Sequence, residues 1–86
     1  MPRISQYYGI AIYMYFRDHA PPHFHAIYGD HEAIFEIATA KMTDGDLPKR
    51  AKKLVAEWAK AHRVELQANW RRAQAGEALQ PIDPLD

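Results

Sequence analysis

Three of the chain's five histidines crowd into one stretch, Asp18-His-Ala-Pro-Pro-His-Phe-His25. Pro21 and Pro22 lack backbone donors and hold φ fixed, so the stretch is no ordinary central strand. Ala20 and Pro21 each precede a proline and favour extended backbone, which predicts a stiff corner feeding a strand at His23. In such a strand His23 and His25 point one way and Phe24 the other, with His19 within reach across the corner. Three imidazoles on one side suit a divalent ion such as zinc, with an open fourth position; the candidate ligands are His19, His23 and His25, with Asp18 orienting one of them. The spacing His-x3-His-x-His differs from the helical His-Glu-x-x-His motif, and there is no cysteine to complete a thiolate site. Without a metal, the same residues form a candidate acid–base group: Asp18, His19, His23 and His25, histidine titrating nearest neutral pH. A third reading needs no chemistry: the rings pack and hydrogen-bond to nearby backbone. Glu36 joins the group only if strand register turns it to the same face.

The elements that must position these residues read as a small α+β domain: an antiparallel sheet of about three strands packed on one long C-terminal helix, in β-β-β-α order. The strands are expected at about 7–16, 24–28 and 32–38. In the first, Tyr8, Ile10, Ile12, Met14 and Phe16 form a bulky apolar face for the helix, and Tyr7, Gly9, Ala11, Tyr13 and Tyr15 form the other. Gly29-Asp30 supplies a turn between the second and third strands. Residues 39–47, around Asp44-Gly-Asp46, read as a connection, and Pro48 suits a first helical turn.

From 48 to 75 the pattern is helical, with Leu54, Val55, Trp58, Ala61, His62, Leu66, Asn69 and Ala73 on one drifting face. With no Pro or Gly inside, one continuous helix is expected, a break near Ala61-His62-Arg63 being the alternative. Trp58 is the expected core anchor. His62, Glu65 and Asn69 are polar on that apolar arc and form a candidate buried cluster that must find partners. Opposite it, Lys49, Lys52, Lys53, Lys60, Arg63 and Arg71 gather into a basic stripe able to meet a nucleic-acid backbone or an acidic partner protein, or simply to face solvent. The tail, 77–86, spaces Leu79, Ile82 and Leu85 between prolines and is expected to dock on the domain or on a partner.

The 86 residues make one domain, 48% hydrophobic and 26% charged, a globular balance. Formal net charge is zero, but the charge is uneven: between Pro48 and Gln74 eight basic residues face only Glu57 and Glu65. No cysteine rules out a disulfide scaffold. No apolar run has the length of a membrane span, and Met1-Pro-Arg-Ile4 does not lead into a signal peptide, so the expected setting is the cytosol, away from membranes. There is no phosphate-binding glycine loop, so no nucleotide cofactor is expected. A modest core makes a homodimer the expected assembly, the tyrosine face and the tail being its candidate interface.

Several strings resemble one family. Tyr8-Gly9-Ile10, Met14-Tyr15, Asp18-His19-x-Pro-Pro-His-Phe-His25 and Tyr28-Gly29 are similar to the first half of the DUF4160 domain family. Gly45-x-Leu47-Pro48, Leu54-Val-x-Glu57-Trp58, His62-x-x-Glu65-Leu66, Asn69-Trp70 and Pro84-Leu85 resemble its second half. The resemblance implies a small bacterial protein without an assigned activity, some of whose relatives sit in two-gene arrangements suggestive of toxin–antitoxin pairs. It marks His19, His23, His25, Glu57, His62, Glu65 and Asn69 as matching polar positions and assigns none a role. The leading expectation is an interaction or regulatory module, one half of a toxin–antitoxin-like pair with a partner from an adjacent gene, contacting protein or nucleic acid through the basic stripe. The alternative is a hydrolase or nuclease-like enzyme built on the histidines.

Overall fold

The computed structural model describes residues 2–86. Five antiparallel strands form one sheet in simple sequence order: β1 (Arg3–Tyr7), β2 (Ile10–Tyr13), β3 (His23–Tyr28), β4 (His31–Glu36) and β5 (Met42–Gly45). Two helices follow, α1 (Lys49–Ala61) and α2 (Arg63–Ala75). The α+β class stands, but the expected three strands and single long helix are replaced by five strands and two helices.

Each difference has a local cause. The stretch expected as one strand over 7–16 is folded at Tyr8-Gly9, where both residues have positive φ (49° and 79°). Two such residues make the tight turn whose twist matches an antiparallel hairpin. Tyr7 therefore pairs with Ile10, and residues expected to be a lead-in become β1. Ile10, Ile12 and Met14 face the core as the alternation requires, whereas Tyr7 is buried against Trp58, with ring centroids 5.4 Å apart, and Tyr8 and Phe16 are exposed. The stretch read as a connection forms β5, whose pairing with β4 slips by a residue between Ile34 and Phe35. That bulge, and Gly45 at φ 79°, accommodate the turn-like Asp44-Gly-Asp46 inside a ladder. An added Cβ at Gly45 would collide with the Glu32 carbonyl, so the close approach of β4 requires glycine there.

The helix breaks at His62, where φ is −118° and ψ 27°. Neither Pro nor Gly lies there; instead two side chains anchor the junction. His62 Nδ1 donates to Glu65 Oε1 at 2.6 Å, and Arg63 Nε donates to the Ile37 carbonyl at 3.2 Å.

One face of the sheet, including Ile10, Ile12, Phe24, Ala26, Ala33 and Phe35, packs with Val55, Trp58, Leu66 and Ala73 of the helices in a single core. Phe24 stacks on Phe35 and meets Trp58 edge-on. Trp58 is fully buried, and its indole N–H donates to the Asp83 carbonyl at 2.8 Å. The tail lies along this domain: Ile82 is buried and its N–H donates to the Ile4 carbonyl at 2.8 Å.

Candidate functional site

The strand register assembles the histidine face. The two-residue turn at Gly29-Asp30 sets Tyr28 opposite His31, which puts Ile27 opposite Glu32, His25 opposite Ile34 and His23 opposite Glu36. His23 and His25 therefore share the sheet face opposite to that of Phe24 and Ala26, alongside Tyr13, which pairs with His25 across β2.

Asp18 is brought to them by the end of α2. Arg17, with φ 55°, donates its backbone N–H to the Ala73 carbonyl at 3.2 Å, and Gln74 Nε2 donates to the Asp18 carbonyl at 3.0 Å. Gly76 closes α2 in the left-handed conformation (φ 72°), and an added Cβ there would lie 3.0 Å from the Arg17 guanidinium. A cation against the last carbonyls of a helix is electrostatically favoured. The corner between β2 and β3, which includes a cis Ala20–Pro21 peptide, is thus tied to a helix terminus.

Asp18 Oδ2 lies 2.8 Å from His23 Nε2 and 3.5 Å from His25 Nε2. The opposite ring nitrogens are held from behind. His23 Nδ1 lies 2.7 Å from the Pro21 carbonyl, which can only accept, and therefore donates to it. His25 Nδ1 lies 3.3 Å from Glu32 Oε2. Trp70 packs on the His23 ring and Tyr15 meets the His25 ring edge-on, with centroids 5.2 and 4.3 Å apart. Both histidines are buried, and Asp18 keeps 19% of its side chain exposed. Burial alone would raise the Asp18 carboxyl. The His19 backbone N–H, the hydrogen bond and charge of His23 and the hydrogen bond of His25 together hold it below its ordinary value.

His19 stands apart. Its side chain is 81% exposed, and its Nδ1 and backbone N–H both engage Asp18 Oδ1, at 2.9 and 2.8 Å. The donors that converge are Asp18, His23 and His25, whose ligand atoms lie within 4.8 Å of one another. Glu36 shares the His23 side of the sheet, but its Oε1 accepts from Thr39 Oγ1 at 2.8 Å. Glu32, Tyr15, Trp70 and Gln74 were not singled out from the sequence as site residues. The signal for Glu32 was present in the two-residue Gly29-Asp30 turn, which sets it diagonal to His25; Trp70 stands in the Asn69-Trp70 string of the family resemblance, with nothing to tie it to the histidines, and Gln74 had no signal.

The candidate basic stripe divides. Lys49, Lys52, Lys53 and Lys60 are exposed on α1, and Arg71 is exposed on α2 beyond the break. Arg63 is half-buried and spends its Nε on Ile37. The candidate polar cluster divides too. His62 and Glu65 pair at the junction, while Asn69, fully buried, holds the tail: its Nδ2 donates to the Gln80 carbonyl at 2.8 Å, and its Oδ1 accepts from Gln80 N and Arg72 Nη1, each at 2.9 Å.

Fold and site together define a small α+β domain with a carboxylate and two histidines focused on one point of a sheet face. The chain belongs to the DUF4160 family: the sequence profile of this domain of unknown function matches residues 9–71. That span includes Asp18, His23, His25, Glu32 and Trp70 and stops short of Gln74 and Gly76. No curated protein and no solved structure gave a match. No helix among the described residues is long and apolar enough to cross a membrane.

Proposed function

We propose that Asp18, His23 and His25 bind a divalent cation and that this centre serves a hydrolytic reaction. One observation supports this above all: both Nε2 atoms and Asp18 Oδ2 share a point while each Nδ1 is held by an oxygen acceptor. Metal-bound histidines characteristically have that second hydrogen bond, which selects the tautomer and orients the ring. Tetrahedral ligands about 2.1 Å from zinc lie about 3.4 Å apart. The His25 separation of 3.5 Å fits this, and the His23 separation of 2.8 Å requires Asp18 to withdraw by a few tenths of an ångström. Three protein ligands leave a position for water or substrate, and a cation there supplies Lewis acidity to a scissile ester or amide.

The test is titration of metal-free, untagged protein with Zn²⁺ or Co²⁺, followed by calorimetry and, for cobalt, visible absorption. One ion per chain should bind with a tetrahedral cobalt spectrum, and His25→Ala or Asp18→Asn should weaken binding by at least about tenfold. Equal binding by wild type and a variant lacking both His23 and His25 would overturn the assignment.

A second reading, an interaction or regulatory module of the kind found in two-gene toxin–antitoxin pairs, is supported by the exposed Lys49, Lys52, Lys53 and Lys60 on α1. It predicts that Lys53→Glu with Lys60→Glu removes binding of the partner while leaving the fold intact.

A further inference from the structure

Three lysines from two separate elements border one cavity. Lys52 and Lys60 stand on α1 with Ala56 between them, at i, i+4 and i+8, so the small side chain leaves a trough flanked by two cations. Lys41 approaches from the opposite wall, the connection between β4 and β5. The cavity is about 310 Å³, and Phe35, Ala40 and Met42 line its apolar part. No carboxylate lines it, and among the described residues none of the three lysines makes a salt bridge to an acid.

The Lys41 wall is held in shape before any ligand arrives. Ala40 N donates to the Glu36 carbonyl at 2.9 Å, Glu36 N to the Lys41 carbonyl at 2.9 Å, and Lys41 N to Thr39 Oγ1 at 3.3 Å. Thr39 Oγ1 in turn donates to Glu36 Oε1 at 2.8 Å. Cations without an ion-pair partner, brought to one groove from two walls, attract an anion.

We infer that this groove binds the phosphodiester backbone of a nucleic-acid strand. The occupant is a chain of phosphates rather than a single anion because the positive charge continues past the cavity: Lys49 and Lys53 lie exposed along the same helix. The inference is independent of the metal assignment, since the groove shares no residue with Asp18, His23 or His25, and it is measured by binding with chelator present.

The experiment is fluorescence anisotropy of a short labelled single-stranded DNA or RNA, titrated with full-length protein in EDTA from about 50 to about 200 mM salt. Inorganic phosphate and polyglutamate serve as competitors. Binding should weaken steeply with salt, and Lys41→Ala, Lys52→Ala and Lys60→Ala should each weaken it several-fold and flatten the salt dependence by about one unit of log–log slope. Lys41 is decisive, because a plain helix stripe would not involve it. Wild-type affinity in Lys41→Ala overturns the groove, as does displacement by polyglutamate as readily as by unlabelled strand, which would identify an acidic protein surface instead. Saturation by inorganic phosphate with no strand binding also overturns it. Unchanged thermal melting of the variants confirms that lost binding is not lost folding.

Discussion

At the scale of single residues, the acid is what turns two histidines into a site. Asp18 divides its oxygens: Oδ1 is occupied by His19, and Oδ2 faces His23 and His25. Its carboxyl is held below the ordinary value, so ionised Asp18 favours the native state at pH above its unfolded value of about 3.9. That contribution is lost as pH falls through the lower native value. Thermal melts of metal-free protein between about pH 5 and about pH 3 should therefore show a steeper loss of Tm for wild type than for Asp18→Asn. Parallel pH profiles would mean that the contacts to Asp18 contribute nothing to folding. The metal titration above reads the same carboxylate by a different property, so the two measurements separate its structural and ligand roles.

At the scale of elements, the C-terminus of α2 governs the corner that presents Asp18. Gly76→Ala places a side chain at φ 72° and against the Arg17 guanidinium. It should lower stability by about 1–2 kcal/mol, measured by urea unfolding. Because Arg17 adjoins Asp18, the same variant should weaken metal binding in the folded protein, while the far spectra of α1 and the sheet stay native. Full retention of metal affinity would show that the corner holds Asp18 without the helix end. Much of this element-scale organisation was legible beforehand. The β3–β4 hairpin follows from the Gly29-Asp30 turn, and the core side of β2 from its alternation. The turn at Tyr8-Gly9 was hidden because tyrosine and isoleucine on either side continue a strand-like composition, and only paired positive φ values divide the run. β5 was hidden because its Asp-Gly-Asp is turn chemistry, made compatible with a ladder by a bulge and by the nearness of β4.

At the scale of the molecule, the two buried polar anchors close the chain on itself. Trp58 and Asn69 hold the tail through the carbonyls of Asp83 and Gln80, and Ile82 adds a backbone bond to β1. Asn69→Ala leaves the Gln80 N–H and carbonyl without their partners, which should cost about 1–3 kcal/mol in chemical denaturation. Proteolysis of that variant should begin in residues 77–86 while the proposed metal site, on the other face of the sheet, retains its affinity. Simultaneous loss of metal binding would mean that the tail supports the histidine face as well as the core.

Local chemistry determined a good deal: an α+β class, a strand beginning at the proline pair with His23 and His25 on one side, a helical second half, and Trp58 in the core. These follow from proline's fixed φ, the two-residue period of strands and the periodicity of helices, all of which act between near neighbours. Tertiary structure decided which polar groups meet. Exposure of His19, convergence of Asp18 with His23 and His25, support from Glu32 and Trp70, and approach of Lys41 to Lys52 and Lys60 each depend on the register between strands or on packing of a helix end. Between one continuous helix and the alternative break near Ala61-His62-Arg63, tertiary structure also chose the break, since the Arg63 anchor is the carbonyl of Ile37, distant in sequence. Such contacts carry no short-range periodicity, so they became visible only when the sheet and the helices were brought together.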